Sequence, residues 1–354
     1  MLALKGHELG FEMHVMSASP NDPAAQVVNH HFLGDPNRLE SLKEFFATVD
    51  VATFESEFLN PDLLNSGLSG TAVKIFPEPA TMGVLQDRLS QKELLDAHKI
   101  PTLDFAAVDS LAEAEEFMRY HPGGVALKQR RFGYDGYGTF IVRKAPELPS
   151  LFTKWENGKA NLLAEPLCRF KRELAVSLVR SPNGDIREFP LVESRQQESR
   201  CLWVKGPVKH RDQIQLTQKL RKMLNAVDYV GVIAFELFET EKGLLVNEAA
   251  PRVHNSAHYS LDAMDIDQFT AHILAVAGAE IPKFGLRTKA FAMMNLLGKS
   301  SQPPAWRLSP DVHLHWYGKS ENRPGRKMGH LNALGKSAEE ALKRVQTAER
   351  KFKL

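Results

Sequence analysis

Apolar residues along this chain recur at two periods, and their alternation sets out an order of helices and strands. Spacings of three and four predict helices over Leu2 to Phe11, Leu39 to Phe46, Thr81 to His98, Leu111 to Tyr120, Gln213 to Ala226 and, in the charged tail, Ser337 to Phe352. Alternating or continuous apolar runs predict strands at Glu12 to Met16, Val49 to Glu57, Ala72 to Phe76, Val125 to Lys128, Gly138 to Val142, Asn161 to Glu165 and Glu173 to Val179. Asn183-Gly184 offers a hairpin turn, so Arg187 to Glu193 is expected to pair back. Further strands are expected at Val230 to Phe238, Leu244 to Glu248, Ala290 to Leu296 and His313 to Tyr317. The early alternation of strand and helix predicts an α/β unit with a parallel sheet, and the middle of the chain reads as α+β. Pro101 forbids helix continuation past Ile100 and marks a domain boundary.

With 354 residues the chain has room for two or three domains. Lys+Arg 45 against Asp+Glu 43 leaves a net charge of +2, which argues against nucleic-acid binding by bulk charge. There is no run of ~18 apolar residues and no signal-peptide pattern, so a soluble, cytoplasmic protein without a membrane partner is expected. Cys168 and Cys201 are the only cysteines, and their context supports neither a disulfide framework nor a zinc site.

Two segments carry candidate chemistry. Lys128 ends a strand and is followed by Gly133, Gly136 and Gly138, a pattern that suits a phosphate cover because glycine lets backbone N–H groups approach oxygen closely. A plain hairpin with Asp135-Gly136 at its turn is the alternative. Glu236 and Glu248 each interrupt an apolar strand, and the short turn at Lys242-Gly243 would bring them together. Buried carboxylates need a cation, and Mg²⁺ takes one or two of them beside phosphate oxygens. Otherwise both glutamates face solvent on an amphipathic hairpin. The polar run Pro251-Arg252-Val-His254-Asn255-Ser256 that follows looks like a site-lining loop.

Taken together, Lys128 with its glycine loop, the stretch Glu165-Pro-Leu-Cys168, Glu173 and the pair Glu236 and Glu248 resemble an ATP-grasp enzyme. Asp87-Arg88 with Gln91-Lys92, Gly133-Tyr-Asp-Gly136, Ala250 to Ser256 and Arg323 to Asn332 narrow the resemblance to the carboxyaminoimidazole ribonucleotide synthetases of purine biosynthesis. The resemblance implies an ATP-grasp fold with a Rossmann-like N-terminal domain over 1–88, the ATP-grasp domain over 89–281 and a small β-rich C-terminal domain over 282–354. It implies that ATP and bicarbonate form carboxyphosphate, which carboxylates aminoimidazole ribonucleotide. Arg88 and Lys128 would contact the ATP phosphates, and the loop with Gly133, Tyr134, Asp135, Gly136 and Gly138 would cover them, with Asn247 alongside. Glu165 and Leu167 would hold the adenine through backbone groups and Glu173 the ribose, while Glu236 and Glu248 would hold Mg²⁺, or Mn²⁺ in its place. Glu57 would serve the substrate's sugar, and Lys319, Arg326 and Lys327 its phosphate. Tyr134, Asp135, Arg252 and His254 would approach the reacting groups. A homodimer is implied as well.

The chain departs from the family pattern at several places. It opens within a helix, so the family's first strand and G-x-G-Q-L turn are expected to be missing, either through a misassigned start or through truncation. Phe132 and Ala257 replace glycines, Thr139 stands where glutamine is common, and Gln196 stands where the family has histidine. These changes are expected to touch turnover more than fold. The alternatives are a related ATP-grasp ligase, such as the formate-dependent glycinamide ribonucleotide transformylase, and a nucleotide-binding remnant without catalysis.

Overall fold

The computed structural model describes residues 1–133, 137–155, 159–197, 200–299 and 310–352. Helix α1 (Leu2–Glu8) leads into β1 (His14–Ser17) and β2 (His30–Leu33), which pair in parallel. Helix α2 (Leu39–Phe46) buries Leu42 and Phe46. It is followed by β3 (Val51–Thr53), α3 (Pro61–Leu68) and β4 (Lys74–Phe76), with β3 parallel to β4. Among the described residues no strand joins β1 to β3, and the two parallel pairs stand apart. The strand expected over Val49 to Glu57 ends at Thr53, which leaves Glu57 in a loop. Sequence periodicity missed α3, although Asn60 caps it by accepting from Asp62 and Leu63 N–H and Pro61 opens it.

The single helix expected over Thr81 to His98 is two helices, α4 (Pro79–Gln86) and α5 (Arg88–Ala97). Asp87 separates them with an extended backbone, and its carboxylate accepts from Leu89 N–H at 3.0 Å and Ser90 N–H at 3.4 Å. A side chain that captures these amides competes with helix continuation and starts a new helix instead.

A four-stranded antiparallel sheet follows, built from β5 (Ala106–Val108), β6 (Val125–Gln129), β7 (Thr139–Val142) and β8 (Leu162–Pro166) in the order β5-β8-β6-β7. Helix α6 (Leu111–Tyr120) opens with a capping box between Ser110 and Glu113, and α7 (Leu148–Phe152) is short. The rest of the chain builds a nine-stranded sheet from β9 (Arg172–Arg180), β10 (Ile186–Glu188), β11 (Val192–Gln197), β12 (Arg200–Gly206), β13 (Gly231–Thr240) and β14 (Gly243–Ala250), continued by β15 (Ala290–Leu297), β16 (His313–Trp316) and β17 (Lys327–Gly335). Its order is β14-β13-β9-β11-β12-β15-β17-β16, with β10 also paired to β9. The C-terminal strands therefore extend the same sheet through the β12–β15 pair.

Both faces of this sheet are buried. Leu174, Val176 and Leu178 of β9 pack with Leu216, Leu220 and Leu224 of α8 (Gln213–Ala226), while Ala175 and Val179 face Phe269 and Ile273. Short α9 (Ser260–Ala263) precedes α10 (Gln268–Val276), and α11 (Ala338–Glu349) covers the C-terminal strands. Helix α10 is buried nearly all round, so it has no apolar stripe to read in the sequence. Strand β17 also went unseen, because its buried positions include the polar His330 and Asn332. No described helix is long and apolar enough to cross a membrane.

His272 ties α10 to the N-terminal part and is 0% exposed. Its Nδ1 accepts from Val232 N–H at 3.0 Å, and its Nε2 lies 2.7 Å from Thr53 Oγ1, whose own proton goes to Phe76 O at 2.8 Å. This assigns the ring as the neutral tautomer with its proton on Nε2. Burial lowers its pKa to about 4. In the unfolded chain a histidine titrates at ~6.5, so between the two values the unfolded state binds a proton that the folded ring refuses. Stability therefore falls as pH drops through that window. The urea midpoint should be lower at pH ~5 than at pH ~7, and the difference should shrink in His272→Gln. An equal difference in both proteins would exclude this histidine as the source.

Candidate active site

A cleft of ≈ 380 Å³ gathers side chains from both sheets and from the N-terminal part. Another hollow, ≈ 570 Å³, runs along residues 96–105, a single stretch of chain. Of the residues singled out in the sequence, Glu57, Arg88, Lys128, Gly133, Glu173, Glu236, Asn247, Glu248, Arg252, His254 and Lys327 line the cleft. Gly138, Glu165, Leu167, Lys319 and Arg326 are not in its lining. Tyr134, Asp135 and Gly136 lie outside the described residues.

On one wall, Arg88 opens α5 and reaches under the glycine loop. Its Nη1 donates to Gln129 O at 3.0 Å and its Nη2 to Gly133 O at 3.3 Å and Glu248 Oε2 at 3.3 Å. A Cβ at Gly133 would press on the Arg88 guanidinium and lie 3.0 Å from Tyr137 O, so a larger residue there would require the arginine to shift. Asp87 anchors the same region by accepting from Arg130 Nε at 2.9 Å, Arg130 Nη2 at 2.8 Å and Arg131 Nε at 3.2 Å. Burial alone would raise the Asp87 pKa, but Arg130 and the backbone N–H groups hold it below the usual range.

Lys128, on β6, points to the cleft with Nζ donating to Asn247 Oδ1 at 3.3 Å. Behind it sits Glu165, 1% exposed, with Oε2 2.5 Å from Lys128 Nζ and Oε1 2.6 Å from Lys92 Nζ. Burial works against ionisation of Glu165, but the ammonium groups of Lys128 and Lys92 outweigh it and hold the carboxyl below its ordinary pKa. Of the Leu167 backbone groups, the N–H donates to Gly124 O at 2.9 Å, because the chain leaving β8 stays hydrogen-bonded to the turn before β6. Gly138 shapes the hairpin from outside the lining: φ is +76°, and its carbonyl accepts from Gln129 N–H at 2.7 Å.

On the opposite wall, Glu236 and Glu248 are direct partners in the β13–β14 register, at a bulge. Burial, with Glu248 and Glu173 close by, raises the Glu236 pKa to about 8. Burial also lifts the pKa of Glu173, although Gln196 N–H donates to its Oε2 at 3.3 Å. That contact uses the backbone of residue 196, so glutamine in place of histidine leaves it intact. His254 presents Nε2 3.7 Å from Glu236 Oε1, and its Nδ1 accepts from Ser256 N–H at 3.3 Å, which places the ring proton on Nε2. Burial, then Arg252 and Lys327, lower the His254 pKa to about 3 and keep the ring neutral.

The loop that carries these groups is held by residues that sequence reading missed. Gln268 clamps the His254 backbone at both ends, accepting from its N–H and donating to its carbonyl, each at 2.8 Å. Asn255 and Asn295 exchange amide hydrogen bonds at 2.9 and 2.7 Å. Arg252 makes a two-pronged ion pair with Glu57, Nη2 to Oε1 at 3.0 Å and Nε to Oε2. Both Glu57 oxygens, expected to await a sugar, are thus engaged by arginine. Neither Gln268 nor Asn295 carries a local signal, whereas Gln91-Lys92 was visible as a motif without a role. Of the basic stretch, Lys327 lines the cleft, Arg326 Nη1 donates to Glu321 O at 3.1 Å, and Lys319 Nζ lies 5.5 Å from the Tyr317 ring centre.

Three families match the chain in sequence: a ribonucleotide synthetase preATP-grasp domain over residues 1–86, an ATP-grasp domain over 93–269, and a phosphoribosylaminoimidazole carboxylase C-terminal domain over 292–344. The N5-carboxyaminoimidazole ribonucleotide synthase of Synechococcus elongatus is 36% identical over 98% of this chain and 90% of its own length. The N5-carboxyaminoimidazole synthetase of Staphylococcus aureus, solved with ADP, superposes with a TM-score of 0.89 at 27% identity, covering 99% of this chain and 93% of that one. The synthase of Aspergillus clavatus, solved with ADP and 5-aminoimidazole ribonucleotide, gives 0.85 at 27% identity, covering 98% of this chain and 94% of that one.

Phe132 keeps a left-handed backbone, φ +64°, at the mouth of the cleft and is 60% exposed. A residue with a Cβ pays about 1 kcal/mol for this conformation, and glycine does not. Phe132→Gly should therefore raise the unfolding free energy by about 1 kcal/mol in urea titrations. A lower midpoint would mean that packing of this ring against Phe58, 6.1 Å between centroids, outweighs the strain.

Proposed function

The chain belongs to the N5-carboxyaminoimidazole ribonucleotide synthetase family, and from that premise we propose how the cleft divides its work. The enzyme is a ligase that carboxylates 5-aminoimidazole ribonucleotide at the expense of ATP, in purine biosynthesis. Bicarbonate is the carbon source and carboxyphosphate the intermediate in this reading. The observation that carries it is the pairing, across one cleft, of Arg88 and Lys128 with the opposed carboxylates of Glu236 and Glu248. Arg88, Lys128 and the glycine loop hold the ATP phosphates, with Asn247 beside them, and Tyr134, Asp135 and Gly136 complete that loop. Glu173 accepts from the ribose. The adenine is left to backbone groups of the stretch from Glu165 to Cys168 other than the Leu167 amide. Positioning and fixed charge supply the catalysis, so no protein nucleophile is required.

The donor set fits a hard divalent cation. Glu236 and Glu248 stand opposite each other, with Asn247 next to Glu248, and Glu236 is driven toward its protonated form by burial and by its neighbouring carboxylates. These two glutamates would hold Mg²⁺ or Mn²⁺. Bound there, the cation offsets negative charge on the phosphates. His254, neutral with its proton on Nε2, and Arg252, braced by Glu57, face the reacting carboxyl and imidazole groups. Glu57 changes partner from Arg252 to the substrate's sugar, and the basic stretch of Lys319, Arg326 and Lys327 takes the ribonucleotide phosphate. The exposed apolar residues Leu4, Leu9 and Phe11 in and just after α1 support a homodimer built on that surface, and a cytoplasmic location belongs to the same reading.

ADP release that requires aminoimidazole ribonucleotide and bicarbonate tests this assignment. Release that instead requires glycinamide ribonucleotide and formate would overturn it. Glu236→Gln and Glu248→Gln should each lower ATP turnover by about a hundredfold or more, in keeping with the several kcal/mol that a cation contributes. Neither should unfold the protein, and cation-free Glu236→Gln should melt higher than wild type near neutral pH, because burial and then the neighbouring carboxylates make the folded Glu236 take up a proton that the unfolded chain releases, a cost glutamine does not carry. Unchanged ADP formation by both variants would exclude them as ligands.

A hydrogen bond to a charged group is worth ~1.5–3 kcal/mol, so Arg326→Ala should raise the KM for the ribonucleotide roughly tenfold to a hundredfold. The KM for ATP should hardly move. Steady-state titration of each substrate with the other saturating checks this. A rise in the ATP constant alone would reassign the basic stretch to the nucleotide.

A further inference from the structure

We propose that Lys92 is a positioning residue for the reaction: from outside the cleft it neutralises Glu165, so that Lys128 retains a net positive charge for the phosphates. The inference rests on the reading of Lys128 as a phosphate contact. Lys92 is 2% exposed and does not line the cleft, so it has no direct access to a ligand there. Its Nζ faces three oxygens: Glu165 Oε1 at 2.6 Å, Thr102 Oγ1 at 2.6 Å and Val246 O at 3.3 Å. Thr102 gives its own proton to Val246 O at 2.7 Å, so its oxygen is free to accept from the lysine. Two hydrogen bonds, to Thr102 and Val246, hold the ammonium in place, and its charge is set against Glu165 as an ion pair.

Charge counting gives the consequence. Lys92, Glu165 and Lys128 together carry +1 − 1 + 1 = +1. Lys92 occupies one carboxylate oxygen, and Lys128 touches the other, 2.5 Å away, from the side that opens to the cleft. Without Lys92 the remainder sums to −1 + 1 = 0. A buried carboxylate with a single partner would then draw the Lys128 ammonium back and cancel its field. Phosphate recognition through a point charge needs the surplus positive charge. Helix α5 thus reaches the nucleotide twice, through Arg88 in direct contact and through Lys92 by way of Glu165.

A Lys92 that merely fastens α5 to β14 predicts something different, namely lower stability with no selective effect on ATP. The test compares Lys92→Met, the double variant Lys92→Met with Glu165→Gln, and Lys128→Met, by thermal melts and by titrating each substrate. Lys92→Met should raise the KM for ATP roughly tenfold, as expected for a weakened charged contact, and leave the KM for the ribonucleotide unchanged. The double variant restores a net charge of +1 on Lys128 and should bring the ATP constant back to within about threefold of wild type. It leaves no buried charge that depends on Lys92, so it carries the test alone if the single variant does not fold. An unchanged ATP constant in folded Lys92→Met, or a double variant as impaired as the single one, overturns the proposal. Lys128→Met serves as the separate control. If it leaves the ATP constant unmoved, the phosphate reading of Lys128 fails, whatever Lys92 does.

Discussion

Everything around the cleft is organised by the cost of burying the Glu165 carboxylate. It lies on β8 of the four-stranded sheet, and water does not reach it. Its two partners come from α5 and β6, and one of them, Lys92, also reaches the backbone of β14 at Val246. A buried charge without partners is strongly destabilising, so the geometry in which both ammonium groups meet this carboxylate is the geometry in which helix, small sheet and large sheet must join. Gln91, one residue before, adds a neutral version of the same clamp by bonding both the N–H and the carbonyl of Ala249, at 2.7 and 2.9 Å. These contacts cover the edge of the nine-stranded sheet and place Arg88, at the start of the same helix, over the cleft.

The cleft inherits an electrostatic imbalance from this arrangement. One wall presents Arg88 and Lys128, and the counter-charge of Lys128, Glu165, lies behind it and outside the lining. The other presents Glu173, Glu236 and Glu248, where burial and then the neighbouring carboxylates make Glu236 resist ionisation. Arg88 reaches across to Glu248 at 3.3 Å, and a polyphosphate with a divalent cation has the charge pattern that would suit both walls. The neutral His254 and Arg252, which pairs with Glu57 from another loop, lie beside these charges on a loop that Gln268 and Asn295 hold by hydrogen bonds to His254 and Asn255.

Much of this was written locally in the chain. The period of apolar residues placed α2, α6 and α8 at their observed ends, because each has one buried face and one solvated face. The turn at Lys242-Gly243 closes the hairpin that was read from sequence, but its register runs only as far as Leu237 opposite Val246; a bulge between Glu236 and Leu237 then shifts the pairing by one residue and puts Glu236 opposite Glu248. Gly133, singled out after the strand that carries Lys128, lines the cleft and lies close against Arg88.

What only the tertiary structure decided depends on residues far apart in sequence and on which of them lose water. Nothing in the pattern around Lys92 shows that it is buried, since its ion-pair partner lies on β8 and, besides nearby Thr102, it reaches Val246 on β14. The Arg252–Glu57 pair, the clamp by Gln268 and the capture of the Leu167 amide by Gly124 are of the same kind. Strand β17 and helix α10 escaped for a related reason: enclosed on all sides, they have no solvent face to mark a period. Sequence alone determined the local elements and the residue types that can do the chemistry, because those follow from short-range spacing. The fold decided which charges face each other without water between them, because desolvation is a property of the assembled interior and of no single segment.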